Sequence, residues 1–129
     1  MSITDFFDLD GITGNPNEIP IDVLAYIGDS FYNLYASVQS INDGRISIYK
    51  AHKQGVKLKC AGGQKKLLMS IQQSLTEEEK DFVRRGMNSK GAKKRGNDED
   101  YRYSTAFEVL VGYLFLTGNI ERLKYLLQC

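Results

Sequence analysis

Apolar residues recur at intervals of three and four along most of the chain, which predicts helices rather than strands. The clearest helix begins at Pro20 and ends near Ser40. Its apolar stripe consists of Ile21, Leu24, Ala25, Gly28, Phe31, Tyr32 and Tyr35. A second helical region, 46–73, is predicted to kink or break at Gly62-Gly63. Because no stretch alternates as a strand does, we expect an all-α fold of five to seven helices in a single domain, residues 1–129.

The remaining segments carry turn and capping signals. Residues 1–19 show no sustained period, so we expect an irregular lead-in with at most a short helical turn. Thr76-Glu77-Glu78-Glu79 is a capping box that opens a short helix ending near Arg85. Residues 86–100 are rich in glycine and charge, which predicts an exposed basic loop. Two further helical segments follow this loop, and Asn119 is expected to cap the second.

The charges are strongly segregated along a chain whose net charge is only +1. Residues 1–43 hold seven acids and no Lys or Arg, whereas residues 44–95 hold fourteen Lys and Arg against four acids. Residues 96–129 return to a net charge of −2. The basic middle segment indicates a surface for a polyanion such as nucleic acid. The alternative is two oppositely charged helical layers that neutralise each other.

Composition and length favour an ordinary cytoplasmic protein. The first residues carry acids where a secretory signal carries Lys or Arg, and the longest apolar stretch, 109–116, is far shorter than the ~20 residues that span a bilayer. Cys60 and Cys129 are expected to be free thiols of a reducing compartment. We expect no nucleotide cofactor, because 86–96 lacks the Gly-Lys-Ser/Thr ending of a phosphate-binding loop.

Two acids lie inside the most apolar predicted helices, Asp29 next to Gly28 and Glu108 within the last long helix. A carboxylate removed from water must be paired, bind a cation or become neutral. Either acid alone is explained as well by an ordinary structural position as by a metal site. It could be exposed, or it could pair with an arginine such as Arg102 or Arg122. Both together favour a shared site for Mg²⁺, with Mn²⁺ as a substitute, because these ions prefer carboxylate oxygens.

A second group of candidate residues is basic and suits RNA phosphates, with glycines that let a loop follow a sugar-phosphate backbone. The alternative is a solvated run of charge. The predicted RNA-binding residues are His52, Lys53, Arg84, Arg85, Asn88, Lys90, Lys93, Lys94 and Arg95.

Three segments together resemble the catalytic domain of the ribonuclease III family. Leu24 to Ser30, LAYIGDS, resembles its signature helix, and Tyr101 to Leu114 resembles its second acidic helix. Arg84 to Lys90 is the third matching segment. The resemblance covers about residues 20–128 and is most similar to the Mini-ribonuclease III branch, which lacks the double-stranded-RNA-binding domain.

The resemblance implies a Mg²⁺-dependent endoribonuclease that cuts double-stranded RNA, leaves 5′-phosphate ends and acts in maturation of 23S ribosomal RNA. By position, Asp29 and Glu108 are its metal-binding catalytic acids. Larger family members have two further acids where this sequence has Ala25 and Thr105, which leaves the number of metal ions open. Asp22 falls where they carry another signature acid, so it is a candidate accessory acid.

The resemblance also implies a homodimer formed through the signature helices. Tyr26, Phe31 and Tyr35 are candidates for that interface and equally for the core. The replacement of acids by Ala25 and Thr105 motivates a second hypothesis, a non-catalytic double-stranded-RNA-binding or ribosome-assembly module on the same fold. A helical protein–protein adaptor is less consistent with the basic segment and the two intrahelical acids.

Overall fold

A computed structural model describes residues 3–9, 14–41 and 46–128. Every regular element in these ranges is helical, which confirms the predicted all-α class. The seven α-helices are α1 (Ile3–Phe7), α2 (Ile21–Ser40), α3 (Ile48–Lys59), α4 (Ala61–Ile71), α5 (Glu77–Met87), α6 (Glu99–Leu116) and α7 (Ile120–Leu127). Two short 3-10 helices, Pro16–Glu18 and Gln72–Ser74, complete the described ranges. No helix in these ranges is long and apolar enough to cross a membrane.

Helix α6 is the centre of the core, and α2, α4, α5 and α7 all pack against it. Its second half is apolar on all sides, as expected of a helix surrounded by other helices. Aromatic rings connect it to its neighbours. Phe107 meets Tyr32 of α2 edge-on at 4.9 Å, and Tyr113 stacks on Phe82 of α5 at 4.0 Å between ring centroids.

Helices α2 and α6 cross with their backbones in direct contact, because each has a glycine at the crossing. A Cβ on Gly28 would overlap the carbonyl oxygen of Glu108, and a Cβ on Gly112 would overlap that of Leu24. No other residue fits at either position without moving a backbone. This crossing brings Asp29, the neighbour of Gly28, close to Glu108.

The predicted break near Gly62-Gly63 lies earlier, at Cys60, where the chain turns from α3 into α4. The Cys60 sulfur accepts a hydrogen bond from the Gly63 backbone N–H at 3.4 Å and so occupies the N-cap of α4. A Cβ on Gly63 would overlap the Lys57 carbonyl, so this glycine permits close packing at the corner rather than a kink. Cys60 has a free thiol, and Cys129 lies outside the described residues.

The segment predicted as a loop over 86–100 is shorter, because α5 continues to Met87 and α6 begins at Glu99. Asp98 starts α6 early by accepting a hydrogen bond from the Tyr101 backbone N–H at 3.0 Å. The loop is also partly ordered by its own residues: Ala92 is buried, and its N–H donates to the Ser89 hydroxyl at 3.1 Å.

The capping box at Thr76 is present as predicted. Asn119 stands at the N-cap of α7, but its side chain makes no capping hydrogen bond there and donates to the Thr117 hydroxyl at 2.7 Å instead. The irregular lead-in contains α1 and the first 3-10 helix, and residues 10–13 of that lead-in lie outside the described residues.

Candidate active site

Asp29 and Glu108 face a common open cleft of about 550 Å³ beside the crossing of α2 and α6. Asp29 is exposed, and the Asn33 amide one turn along α2 donates a hydrogen bond to its Oδ1 at 3.2 Å. Glu108 is half-buried on α6. The two carboxyl groups are close enough for Asp29 to raise the pKa of Glu108. The tertiary structure therefore brings together the two acids singled out in the sequence.

Burial of Glu108 and its contact with Asp29 raise the pKa of Glu108 to about 9. Desolvation is the largest cause, followed by the hydrogen bond that the protonated Glu108 donates to Asp29 and by the negative charge of Asp29. The side-chain amide of Gln64 donates to the Glu108 carboxylate and acts in the opposite direction. Without a cation, the Glu108 carboxyl group therefore favours its protonated form at neutral pH.

The donor set suits a hard divalent cation. Two adjoining carboxyl groups offer oxygen ligands, and a cation can replace the proton that Glu108 retains. Asp29 and Glu108 are the residues that would hold it. Asp22 lines the same cleft two turns before Asp29, but the described residues contain no cluster of three or more His, Cys, Asp or Glu arranged for a metal.

Ala25 and Thr105, the two positions at which the resemblance implies acids in larger proteins, also line the cleft. Thr105 is buried, and its hydroxyl donates to the Tyr101 carbonyl at 3.0 Å. Its hydrogen is thus used within α6. These two positions add no negative charge to the site.

Three cations lie along the cleft that contains the acids. Lys94 and Arg95 come from the loop after α5, and Lys59 comes from the end of α3. The Arg95 guanidinium lies over the Tyr101 ring, 4.6 Å from its centroid, which holds it near the cleft. The site therefore combines a central pair of acids with a positively charged rim.

The other predicted RNA-binding residues lie elsewhere. Arg84 and Asn88 line a second cleft with Lys80 and Arg102, and Arg84 pairs with Asp81. Arg85 lies over the Phe82 ring, 4.9 Å from its centroid. The remaining four are exposed and line neither cleft: His52, Lys53, Lys90 and Lys93. Of the arginines considered as partners of the acids, Arg102 donates to the Met87 carbonyl and Arg122 binds Glu79.

Three residues of the site were not found from the sequence. Asn33 contacts Asp29, Gln64 contacts Glu108, and Lys59 lines the cleft while donating to the Ser37 hydroxyl at 2.7 Å. Lys59 was one cation among many in the basic segment. The sequence does contain a signal for Gln64. It is a polar residue at a position of the apolar stripe of α4, which continues through Leu68 and Ile71.

An all-helical domain with paired acids in a basic-rimmed cleft has the features of a metal-dependent nuclease. The Ribonuclease III domain family matches residues 22–119. Mini-ribonuclease 3 of Kosmotoga olearia is 44% identical over 113 residues, which cover 88% of this chain and 78% of that protein. Mini-ribonuclease 3 of Symbiobacterium thermophilum is 39% identical over 116 residues, 88% of this chain and 89% of that protein.

A solved structure has the same fold. The X-ray crystal structure of a protein from Fusobacterium nucleatum superposes with a TM-score of 0.72 at 25% identity, covering 81% of this chain and 85% of that one. The chain therefore belongs to the ribonuclease III family, as the three sequence segments indicated, and is a metal-dependent endoribonuclease.

Proposed function

We propose that the chain is a Mg²⁺-dependent endoribonuclease that cleaves double-stranded RNA, and that stems of the 23S ribosomal RNA precursor in the bacterial cytoplasm are its substrate. The observation that carries the proposal is the meeting of Asp29 and Glu108 in a basic-rimmed cleft. The names of the Mini-ribonuclease 3 relatives support action on RNA. The assignment to 23S ribosomal RNA rests on the family resemblance.

In this proposal Asp29 and Glu108 bind the ion, and Asn33 holds Asp29 in place. A bound Mg²⁺ supplies an activated water and neutralises charge at the phosphodiester, with Mn²⁺ able to substitute. Thr105 and Ala25 add no negative charge to the cleft wall, which limits repulsion of the RNA phosphate. Asp22 lines the same cleft, and we assign it the role of an accessory acid that assists a second ion when RNA phosphate contributes further oxygens.

We expect the protein to recognise the duplex through contacts with RNA phosphates and 2′-hydroxyls, because A-form RNA hides its base edges in a deep, narrow major groove. Lys59, Lys94 and Arg95 line the same cleft as the acids, and we assign them contacts with the strand to be cut. The more distant cations contact the duplex beyond the cleft: His52, Lys53, Arg84, Arg85, Lys90 and Lys93, together with the amide of Asn88.

We further propose a homodimer formed through α2. Apolar side chains follow the outward face of this helix, and the exposed ones are Val23, Tyr26, Leu34, Val38 and, at the C-cap, Ile41. Phe31 and Tyr35 belong to the core instead: Phe31 packs on Phe115 at 4.9 Å between ring centroids, and the Tyr35 hydroxyl donates to the Leu127 carbonyl. Of the three aromatic candidates, Tyr26 is therefore the one available to a partner. Two sites across one duplex would permit cleavage of both strands.

The function is tested with purified protein and a duplex RNA containing a 23S ribosomal RNA stem, in Mg²⁺ or in EDTA. We expect discrete 5′-phosphorylated products only in Mg²⁺. Asp29→Asn and Glu108→Gln should abolish cleavage, because each removes a carboxylate ligand of the ion. Both should preserve RNA binding, because neither adds a charge that repels RNA phosphate. Asp22→Asn should reduce cleavage less than either. Undiminished cleavage by both Asp29→Asn and Glu108→Gln would refute the proposed site.

The same assay decides the alternative, a non-catalytic RNA-binding module. That alternative predicts duplex binding with a steep salt dependence and no metal-dependent products in Mg²⁺ or Mn²⁺. The replacement of family acids by Ala25 and Thr105 motivates it. Binding without cleavage across several duplexes would establish it in place of the nuclease.

A further inference from the structure

Gln64 is a buried polar residue in a place that an apolar side chain would fill. It is 3% exposed, and it precedes the fully buried Leu68 and Ile71 on one face of α4. An amide removed from water is costly unless it is hydrogen-bonded, so packing alone favours Leu or Met here. The amide therefore has a role other than filling the core.

The first turn of α4 contacts the end of α3 and the start of α6. The Gln64 backbone N–H donates to the Cys60 carbonyl at 3.0 Å, and Gly63 packs directly on the Lys57 carbonyl. The next residue, Lys65, forms ion pairs with Glu99 at 3.5 Å and Asp100 at 3.3 Å at the start of α6. Gln64 thus extends from a fixed backbone into the cleft.

The Gln64 side chain meets the acid site at Glu108, because both line the same cleft and the amide is close enough to lower the pKa of the Glu108 carboxyl group. Glu108 then has two neighbours of opposite effect, because Asp29 repels its ionised form and Gln64 stabilises it. Ala25 and Thr105 offer no charge to orient Glu108, and Thr105 uses its hydroxyl within α6. Gln64 is therefore a fixed hydrogen-bond donor that can keep this carboxylate aimed at a cation.

We propose that Gln64 is a positioning residue that holds the Glu108 carboxylate in the orientation that binds the metal ion. The inference rests on the proposed function, because it assigns metal binding to Glu108. Gln64 touches neither substrate nor ion in this role and acts through Glu108. Partners that orient metal ligands typically change metal affinity or activity by about 10–100-fold when removed.

The test is Gln64→Leu, which keeps the volume and removes the amide. We expect Mn²⁺ affinity, measured by calorimetry on RNA-free protein, to fall about tenfold or more. The Mg²⁺ concentration for half-maximal cleavage should rise by a similar factor. RNA affinity in EDTA and the KM for RNA at saturating metal should stay within about twofold, because the basic rim is unchanged.

Two further variants separate positioning from folding. Gln54→Leu, at an exposed glutamine of α3, should leave every quantity unchanged. Gln64→Met has an unbranched side chain of nearly the same length and replaces Gln64→Leu if the latter unfolds. Wild-type metal affinity in a folded Gln64 variant would overturn the inference, as would a parallel fall in thermal stability and RNA binding. A wild-type chain that neither binds Mn²⁺ nor cleaves RNA would instead refute the proposed function.

Discussion

Single residues in this chain are held by the groups they contact across helices, and Glu79 on α5 shows this outside the candidate active site. Its carboxylate accepts two hydrogen bonds from Arg122 of α7, at 2.8 and 2.9 Å, and one from the Thr76 backbone at 2.8 Å. Burial alone would raise the pKa of Glu79, but the hydrogen bonds from Arg122 and Thr76 outweigh it and lower this pKa below its ordinary value of 4.5.

Because the folded state lowers the pKa of Glu79, its stabilisation is present above about pH 4.5 and is lost as the pH falls through the folded value. We predict that Glu79→Gln lowers the free energy of unfolding by about 1–3 kcal/mol at pH 7, since a charged hydrogen-bonded pair is lost. The difference from wild type should shrink towards pH 3. Urea denaturation at both pH values measures it.

The matched control is Glu77→Gln. Glu77 forms an exposed ion pair with Lys80 at 3.5 Å in the same helix, and such pairs contribute about 0–1 kcal/mol. An equal loss of stability in the two variants at pH 7, or a Glu79→Gln difference that persists unchanged at pH 3, would contradict this account.

At the scale of elements, the crossing of α2 and α6 decides whether the site exists, because it sets Asp29 against Glu108. We predict that Gly28→Ala lowers the free energy of unfolding by about 3 kcal/mol or more, since the added methyl collides with backbone rather than with a movable side chain. Thermal and urea unfolding measure the loss, and cleavage should fall with it.

Gly55→Ala is the control for helix propensity. Gly55 is also inside a helix, but a Cβ there would meet only side-chain atoms of Lys59 and Ser40 at an ordinary 3.8 Å. Ala is favoured over Gly in a helix by about 1 kcal/mol, so this variant should be neutral or slightly stabilised. If Gly28→Ala and Gly55→Ala change the free energy of unfolding alike, close backbone contact does not explain the need for glycine at position 28.

Helix boundaries were predicted correctly where they depend on local sequence signals. They differ from the prediction where packing between helices decides them. The α2 helix and the Thr76 capping box follow from periodicity and capping residues, and the structure has both. The break at Cys60 was placed two residues too late, because the glycines that suggested a kink instead allow α4 to pack closely on the end of α3.

At the scale of the whole molecule, the basic segment is distributed over several surfaces, and only part of it borders the acids. We predict that the double variant Lys94→Ala/Arg95→Ala weakens duplex RNA binding in EDTA. The negative slope of log affinity against log salt should become shallower by about 1–2. Fluorescence anisotropy over a salt series measures both quantities. Lys124→Ala, at an exposed lysine of α7, should change neither. An unchanged salt slope in the double variant would remove these residues from the interface.

The proposed dimer is tested on the outward face of α2. Tyr26 and Leu34 are 71% and 62% exposed there, so a charge at both positions should leave the core intact and prevent apolar association. We predict that Tyr26→Asp/Leu34→Asp sediments as a monomer at concentrations where the wild-type chain is a dimer. Tyr49→Asp, at an equally exposed tyrosine of α3, should remain dimeric. Wild-type protein that sediments as a monomer throughout would refute the dimer.

The sequence by itself determined the helical class, the family, and Asp29 and Glu108 as the candidate acids, because helix periodicity and a short motif are local properties. Only the tertiary structure decided that Gln64 and Lys59 border the acids while Arg84 and Asn88 line a different cleft. Those relations depend on how closely helices approach one another. Here the approach is set by glycine contacts between residues far apart in the chain, which no local pattern encodes.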